Sequence, residues 1–358
     1  MKICISTWGN PEAWRYAGYV SDEGAAARGF STLNLLVEGM GCDKIYIIVL
    51  NTLVSLQGLN SYDDVERRVA EYVENYLCLK PEHRNRVEMV VAPGTMKKQV
   101  GNFNEHFSTD LRNTRLKILT ELYLRVINVV SGLQRQKVEV LLDVTHGINY
   151  LPVIASEAVE ELAASISASL GEPVELEIYN ADPFPGIEDQ RLRDRLARSK
   201  HNLCHPVEDL GDHEIPMLTY SRLTRISIRP WHITGFMSYE ESVGKLVSDV
   251  RECELSGNEV RSLVEVVRRI SAAYRVGAVV ELIKLIEGNR DIDDRIYKTL
   301  LQVVRCWQRN ARIEVRERFI ELTTKKLLDG IRLLIHAHSI VTGAKSTLEE
   351  LEPVPKLG

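Results

Sequence analysis

The chain has 358 residues, 44% hydrophobic and 27% charged, with a formal net charge of −5. Such a length leaves room for two domains, and the composition is that of an ordinary globular protein. The acidic balance excludes a binder held to nucleic acid by overall basic charge, while a local basic patch would still serve an RNA-processing enzyme.

The opening MKICISTWGN carries one Lys and runs directly into a strand pattern, so no signal peptide is expected. No apolar run approaches the roughly 20 residues that a membrane-spanning helix needs. The six cysteines are widely spaced without a CxxC pair, and Cys4 and Cys306 lie in apolar segments. They read as buried free thiols of a reduced, cytoplasmic protein. Short β-branched runs at 2–7, 44–50, 86–92, 137–144 and 174–180 predict strands, several apolar almost throughout. Between them, 32–40, 62–76, 110–131 and 151–170 predict helices, the last with Ile154, Val159, Leu162 and Ile166 on one stripe. This alternation predicts a parallel, doubly wound α/β sheet over residues 1–185. Beyond Pro183 a Pro/Gly turn and a charged stretch suggest a linker over 186–234, with a strand or small hairpin at 217–228. After Trp231 the chain reads as entirely helical: segments near 239–252, 257–275, 277–288, 291–309 and 314–341 make an all-α domain of 235–358, with a frayed tail.

In an open parallel sheet, ligands bind beyond the carboxyl ends of the strands, where strand order reverses. The predicted strands turn polar there. The first ends in Ser6, Thr7, Trp8, Gly9 and Asn10, and the fourth in Asp143, Thr145, His146, Gly147 and Asn149. The glycines allow close backbone approach, and hydroxyl, imidazole and amide groups stand just before a helix N-terminus, where an anion is favoured. Asp143, Thr145 and Asn149 are equally the residue types that cap helices and tie turns. Neither GxGxxG after the first strand nor GxxxxGK[ST] is present, which disfavours classical dinucleotide and P-loop readings.

DVTHG followed by an apolar helix, together with STWGNPEAW after the first strand, resembles the signature of the CRISPR-associated DxTHG family. The resemblance covers residues 1–185 and implies a Rossmann-like CARF sensor domain for cyclic oligoadenylate, typically cyclic tetra-adenylate, paired across a two-fold axis in a homodimer. By this resemblance Ser6 to Asn10 and Asp143, Thr145, His146, Gly147 and Asn149 contact the ligand.

Near the C-terminus, LLDGIRLLIHAHSIVTG places Arg332, His336 and His338 in an apolar helix. Arg332 suits a charge building on phosphorus, and a histidine suits proton transfer near neutral pH. Arg332 and His336 share a face, whereas His338 lies about 120° round the helix. The HEPN ribonuclease domain that accompanies CARF in this family carries an Arg, four to six residues, then His. That pattern implies Arg332 with His338, His336 in reserve, although Leu333 stands where Asn is usual. The resemblance thus implies a metal-independent single-strand endoribonuclease of type III CRISPR defence, without a cofactor, activated by the cyclic ligand. A ring nuclease acting on the ligand itself and a non-enzymatic regulator are the alternatives.

Three weaker signals remain. His201, Cys204, His205 and His213 form a loose candidate metal set whose spacing does not suit structural zinc. Trp8, Trp14, Tyr16 and Tyr19 suit either adenine stacking or a core or dimer surface. Arg305, Arg309, Arg312, Arg316 and Arg318, interleaved with Glu, read as a solvated helical face, with RNA tracking as the minority alternative.

Overall fold

A computed structural model describes residues 1–133, 136–147, 150–236, 246, 253, 258–324 and 330–351. The predicted parallel strands form the centre of one sheet. Strands β1 (Lys2–Trp8), β4 (Lys44–Leu50), β5 (Val87–Ala92), β8 (Val138–His146) and β9 (Val174–Ala181) pair in parallel in the order β9–β8–β1–β4–β5. Order reverses about β1, with β4 on one side and β8 on the other, so a crevice opens at their carboxyl ends. β10 (Met217–Ile228) extends the sheet by lying antiparallel to β9, and the hairpin of β2 (Ala17–Ser21) and β3 (Ala26–Gly29) continues beyond it. The segment expected to be a linker therefore supplies one long strand of the main sheet. The period-two alternation of 217–228 was legible, but its partner lies across a polar loop from it.

The helices begin where side chains can cap them. Ser61 accepts from the Asp64 amide at the start of α1 (Tyr62–Glu74), and Asp110 accepts from the Arg112 amide at the start of α2 (Leu111–Val130). α3 (Leu151–Leu170) starts after the DVTHG turn and stops at Gly171, whose φ of 69° only glycine adopts freely. It is buried along almost its whole length, because the sheet covers one side and α8 (Gly330–Leu351) the other. Small residues make that double contact close: Ala163, Ala164 and Ala168 are buried, and a Cβ on Gly343 of α8 would lie 2.1 Å from the Ala168 carbonyl oxygen. One apolar core runs from the sheet through α3 into α8. α4 (Gln190–Arg195) lies in the loop between β9 and β10, and around α8 pack α5 (Asn258–Arg275), α6 (Val279–Glu287) and α7 (Ile292–Asn310).

The C-terminal part is not all-α. β11 (Arg312–Arg316) and β12 (Phe319–Thr323) form a hairpin, and β12 pairs in parallel with β7 (Phe103–Ser108), itself paired with β6 (Met96–Val100). Ile320 and Leu322 are buried beneath this second sheet. Their period-two spacing gives a strand once β7, some 200 positions earlier, offers its edge.

The cysteine reading is also corrected. Cys4–Cys42, Cys78–Cys204 and Cys253–Cys306 are disulfides, with Cα separations of 5.8, 5.1 and 5.6 Å. Sequence separations of 38, 126 and 53 residues hid pairings that only the fold creates. None of the helices is long and apolar enough to cross a membrane among the described residues.

Gly343→Ala tests the α3–α8 contact. An alanine ordinarily favours a helix over glycine by about 1 kcal/mol; here the clash with the Ala168 backbone should reverse the sign and cost about 2 kcal/mol. A thermal melt at or above the parent's midpoint would show that α8 does not press on α3 in this way.

Candidate functional site

Asp143 organises the carboxyl ends of the central strands. Its carboxylate is fully buried and accepts from Ser6 Oγ (2.7 Å), Thr32 Oγ1 (2.5 Å), Thr145 Oγ1 (2.6 Å) and the Thr145 amide (3.1 Å). Thr145 Oγ1 in turn accepts from the Ala181 amide of β9 (2.9 Å), and the Gly9 amide donates to the His146 carbonyl (2.6 Å). Four hydroxyl and amide donors replace the water that a buried carboxylate has lost. The result locks β1, β8 and β9 to one another at the crevice.

Above this knot lies an open cavity of about 650 Å³. Thr145, His146 and Gly147 form part of its wall, Trp14, Arg15 and Tyr19 another part, and Asn180, Asp182 and Phe184 the far side. The Trp14 ring lies against His146, centroids 4.4 Å apart, and Tyr19 Oη is 3.4 Å from His146 Nε2. Burial pulls His146 down to about 4 against a modest opposing pull from Asp143, so the imidazole is neutral at neutral pH. It presents a hydrogen-bonding edge without a charge. Gly147 is required by space: a Cβ there would meet Pro152 Cγ at 2.4 Å and Thr7 Oγ1 at 2.7 Å.

The sequence-derived ligand residues therefore divide. Thr145, His146 and Gly147 line the cavity. Ser6, Thr7, Trp8 and Asp143 are buried at 0% exposure and support the wall from beneath. Gly9 is buried in the backbone link to His146, and Asn10 caps the short turn at Pro11–Ala13 by accepting from the Glu12 amide, away from the cavity lining. Asn149 lies outside the described residues. Of the aromatic cluster, Trp14 and Tyr19 line the cavity. Arg15 and Leu218 were missed; Leu218 comes from β10, and only sheet pairing brings it there. Behind the wall, Arg198 lies over the Phe30 and Tyr76 rings and donates to the Pro11 carbonyl (3.1 Å), pinning the loop that carries Trp14.

Arg332, His336 and His338 come together on α8, but against α2 and α3 rather than solvent. Glu161 of α3, fully buried, accepts from Arg332 Nε (2.7 Å) and Arg115 Nη2 (2.7 Å), and its Oε1 lies 2.9 Å from His336 Nε2. Burial alone would raise the Glu161 carboxyl; the bonds and charges of His336 and Arg332 outweigh it and hold the group below its ordinary value. His338 points elsewhere, as its 120° offset requires, and its Nδ1 lies 2.7 Å from Tyr123 Oη, which also accepts from Ser339 Oγ. Burial pulls His338 down to about 4. His336 is 1% and His338 7% exposed. Placed so, the three residues bind α8 to α2 and α3 of the N-terminal half and do not face an open groove. Glu161 was not anticipated, because nothing in its helical stripe marks it as the partner of an arginine 171 positions later.

The loose metal set does not assemble: Cys204 is bonded to Cys78, and no group of three or more His, Cys, Asp or Glu able to hold a metal gathers among the described residues.

The family model for the CARF domain of CRISPR system endoribonuclease Csx1 matches residues 3–183. CRISPR system endoribonuclease Csx1 of Methanocaldococcus jannaschii is similar to this chain, with 31% identity over 211 residues. That match spans 58% of this chain and 40% of the relative, so less than half of the relative's length is represented.

The two buried histidines set a pH dependence. Both are near 4 in the folded chain and about 6.5 when unfolded. Below pH 6.5 the unfolded chain takes up protons that the native one refuses, so this stability is complete above about pH 6.5 and declines as pH falls towards 4. Melting temperature measured from pH 7 to 4 should fall through that window; a flat profile would contradict the burial of both rings.

Proposed function

The chain belongs to the Csx1 family, as the match of its CARF domain over just over half of the sequence shows, and from that premise we propose that it is an endoribonuclease of type III CRISPR defence switched by cyclic oligoadenylate. The observation that carries the sensor half of this reading is the cavity at the strand ends. Its rim supplies an aromatic face at Trp14, a neutral imidazole at His146 and a cation at Arg15. These suit a base, its hydrogen-bonding edge and a phosphate respectively. A cyclic tetra-adenylate has two-fold symmetry, so two such cavities in a homodimer would each take half of the ring.

In the proposed reaction the RNA 2′-oxygen attacks its own phosphorus and the 5′-oxygen leaves, giving a 2′,3′-cyclic phosphate and a 5′-hydroxyl. The 2′-proton goes to a base and the leaving oxygen receives one from an acid, so no metal is needed for balance. Arg332 and His338, with His336 in reserve, are the proposed cleavage residues, and α8 must part from α3 for them to reach RNA. Their burial against Glu161 and Tyr123 favours a second reading, in which they clamp the two halves and cleavage lies elsewhere in the C-terminal part.

Labelled single-stranded RNA incubated in EDTA with and without cyclic tetra-adenylate tests the function: cleavage should depend on the ligand. Arg332→Ala and His338→Ala should each lower kcat by about 100-fold or more, with ligand affinity unchanged. If cleavage persists while the melting temperature drops, the clamp reading holds instead. Gly147→Ala should weaken cyclic tetra-adenylate binding by at least about tenfold, measured by calorimetry, because the turn must open to admit the methyl group. Parental affinity in that variant would remove the DVTHG turn from the binding site.

A further inference from the structure

The second sheet, in the order β11–β12–β7–β6, has one buried and one open face. Its registers separate the two. Ile320 and Leu322 of β12 and Phe107 of β7 are buried, whereas the opposite parity is polar. On that open face Phe319 stands between Arg316 of β11 and Asn104 of β7, and Asn104 stands beside Gln99 of β6. One step along, Glu321 stands beside His106, followed by Lys97. Phe319 is therefore a large aromatic ring, 38% exposed, in the middle of a hydrophilic sheet face.

Arginines stand beside it on β11 and precede it along the chain. α7 runs directly into β11, and its last turns carry Arg305 and Arg309, one turn apart. With Gln302 and Gln308 they line an open cavity of about 590 Å³, in which Asp63 is the one acid among the described residues. Arg312 follows on β11, and Arg318 occupies the turn between β11 and β12. Residues 305–318 hold five Arg against two Glu, 5 − 2 = +3, in a chain whose net charge is −5. Arg316 pairs with Glu314, but Arg305, Arg309, Arg312 and Arg318 are exposed and have no ion pair among the described residues.

A solvated surface would normally interleave its charges with partners. Here guanidinium groups without an ion pair among the described residues continue from a helix end to a strand and its turn, beside an aromatic ring and side-chain amides. A single small anion would not span such a track. A chain of repeating phosphates with unpaired bases would, because arginines follow the backbone while a base stacks on the ring.

We propose that the open face of this sheet and the adjoining end of α7 bind single-stranded nucleic acid, with Arg305, Arg309, Arg312 and Arg318 on phosphates and Phe319 under a base. This deepens the proposed function by placing the substrate strand, and it rests on that reading for RNA as the strand bound. The sequence alone made this segment part of a helix; only as a hairpin does it bring Phe319 onto the same face as Arg316.

The test uses the full chain and fluorescence anisotropy of a labelled single-stranded RNA and of its duplex, over a range of salt concentrations. The exposed triple variant R305E/R309E/R318E should lose at least about tenfold in single-strand affinity. The slope of log affinity against log salt should fall by about 2, at about 0.7 per lost contact. Phe319→Ala should cost about tenfold on the single strand and leave duplex affinity unchanged. Retained cyclic tetra-adenylate affinity and melting temperature serve as the folding control. Single-strand affinity within twofold of the parent in the triple variant would overturn the proposal, as would a parent that binds duplex as tightly as single strand. The two readings fail separately. Binding lost with these residues in a chain that never cleaves RNA sinks the ribonuclease and keeps the surface; cleavage with parental KM in both variants does the reverse.

Discussion

A buried carboxylate without an ion pair among the described residues holds the crevice together. Asp143 sits beneath the strand ends and accepts hydrogen bonds from Ser6, Thr32 and two donors of Thr145. Burying such a group without donors would cost several kcal/mol. With them it fixes the relative position of β1, β8 and the turn that carries His146 and Gly147. The cavity wall is consequently built in two layers. Ser6, Thr7, Trp8 and Asp143 set the geometry, and Thr145, His146, Gly147 and Trp14 meet whatever occupies the cavity.

A second buried carboxylate joins the halves of the molecule. Glu161 lies on the same helix that leaves the DVTHG turn, and it accepts from Arg115 of α2 and Arg332 of α8 while contacting His336. Removing one partner of such a cluster leaves an uncompensated charge and costs about 3–5 kcal/mol. The small residues of α3 and Gly343 of α8 add close backbone packing to that electrostatic grip. One helix therefore begins at the cavity and ends against the segment that carries the Arg–His pattern. That is the physical continuity a two-site mechanism needs, and a two-state element along it is what coupling would further require.

The second sheet binds the halves a third way. β7, inserted between β5 and α2, receives β12 from the C-terminal part, so residues some 200 positions apart share one hydrogen-bonded ladder. The Thr324 and Thr109 hydroxyls meet at 2.8 Å where the ladder ends. Pairing at such sequence separation raises the contact order, which slows folding.

What the sequence determined by itself was local and periodic. The five parallel strands and the helices at 62–74, 111–130 and 151–170 follow from β-branched runs, helical stripes and Ser, Asp and Gly boundaries, each readable within about twenty residues. The DVTHG turn was legible as a site because polar and small residues interrupt an apolar strand. Tertiary structure alone decided which of those residues are support and which are surface, because burial depends on neighbours such as Thr32 and Ala181 that sequence spacing does not reveal. It also decided that 217–228 joins the main sheet, that 312–323 is a hairpin instead of a helix, and that the cysteines pair. For Arg332, His336 and His338 the sequence supplied a chemically suggestive trio, and the fold supplied Glu161 and Tyr123 as its partners. The physical reason is common to all four cases. An ion pair, a ladder edge or a disulfide is a property of two segments at once, and the chain writes only one of them at a time.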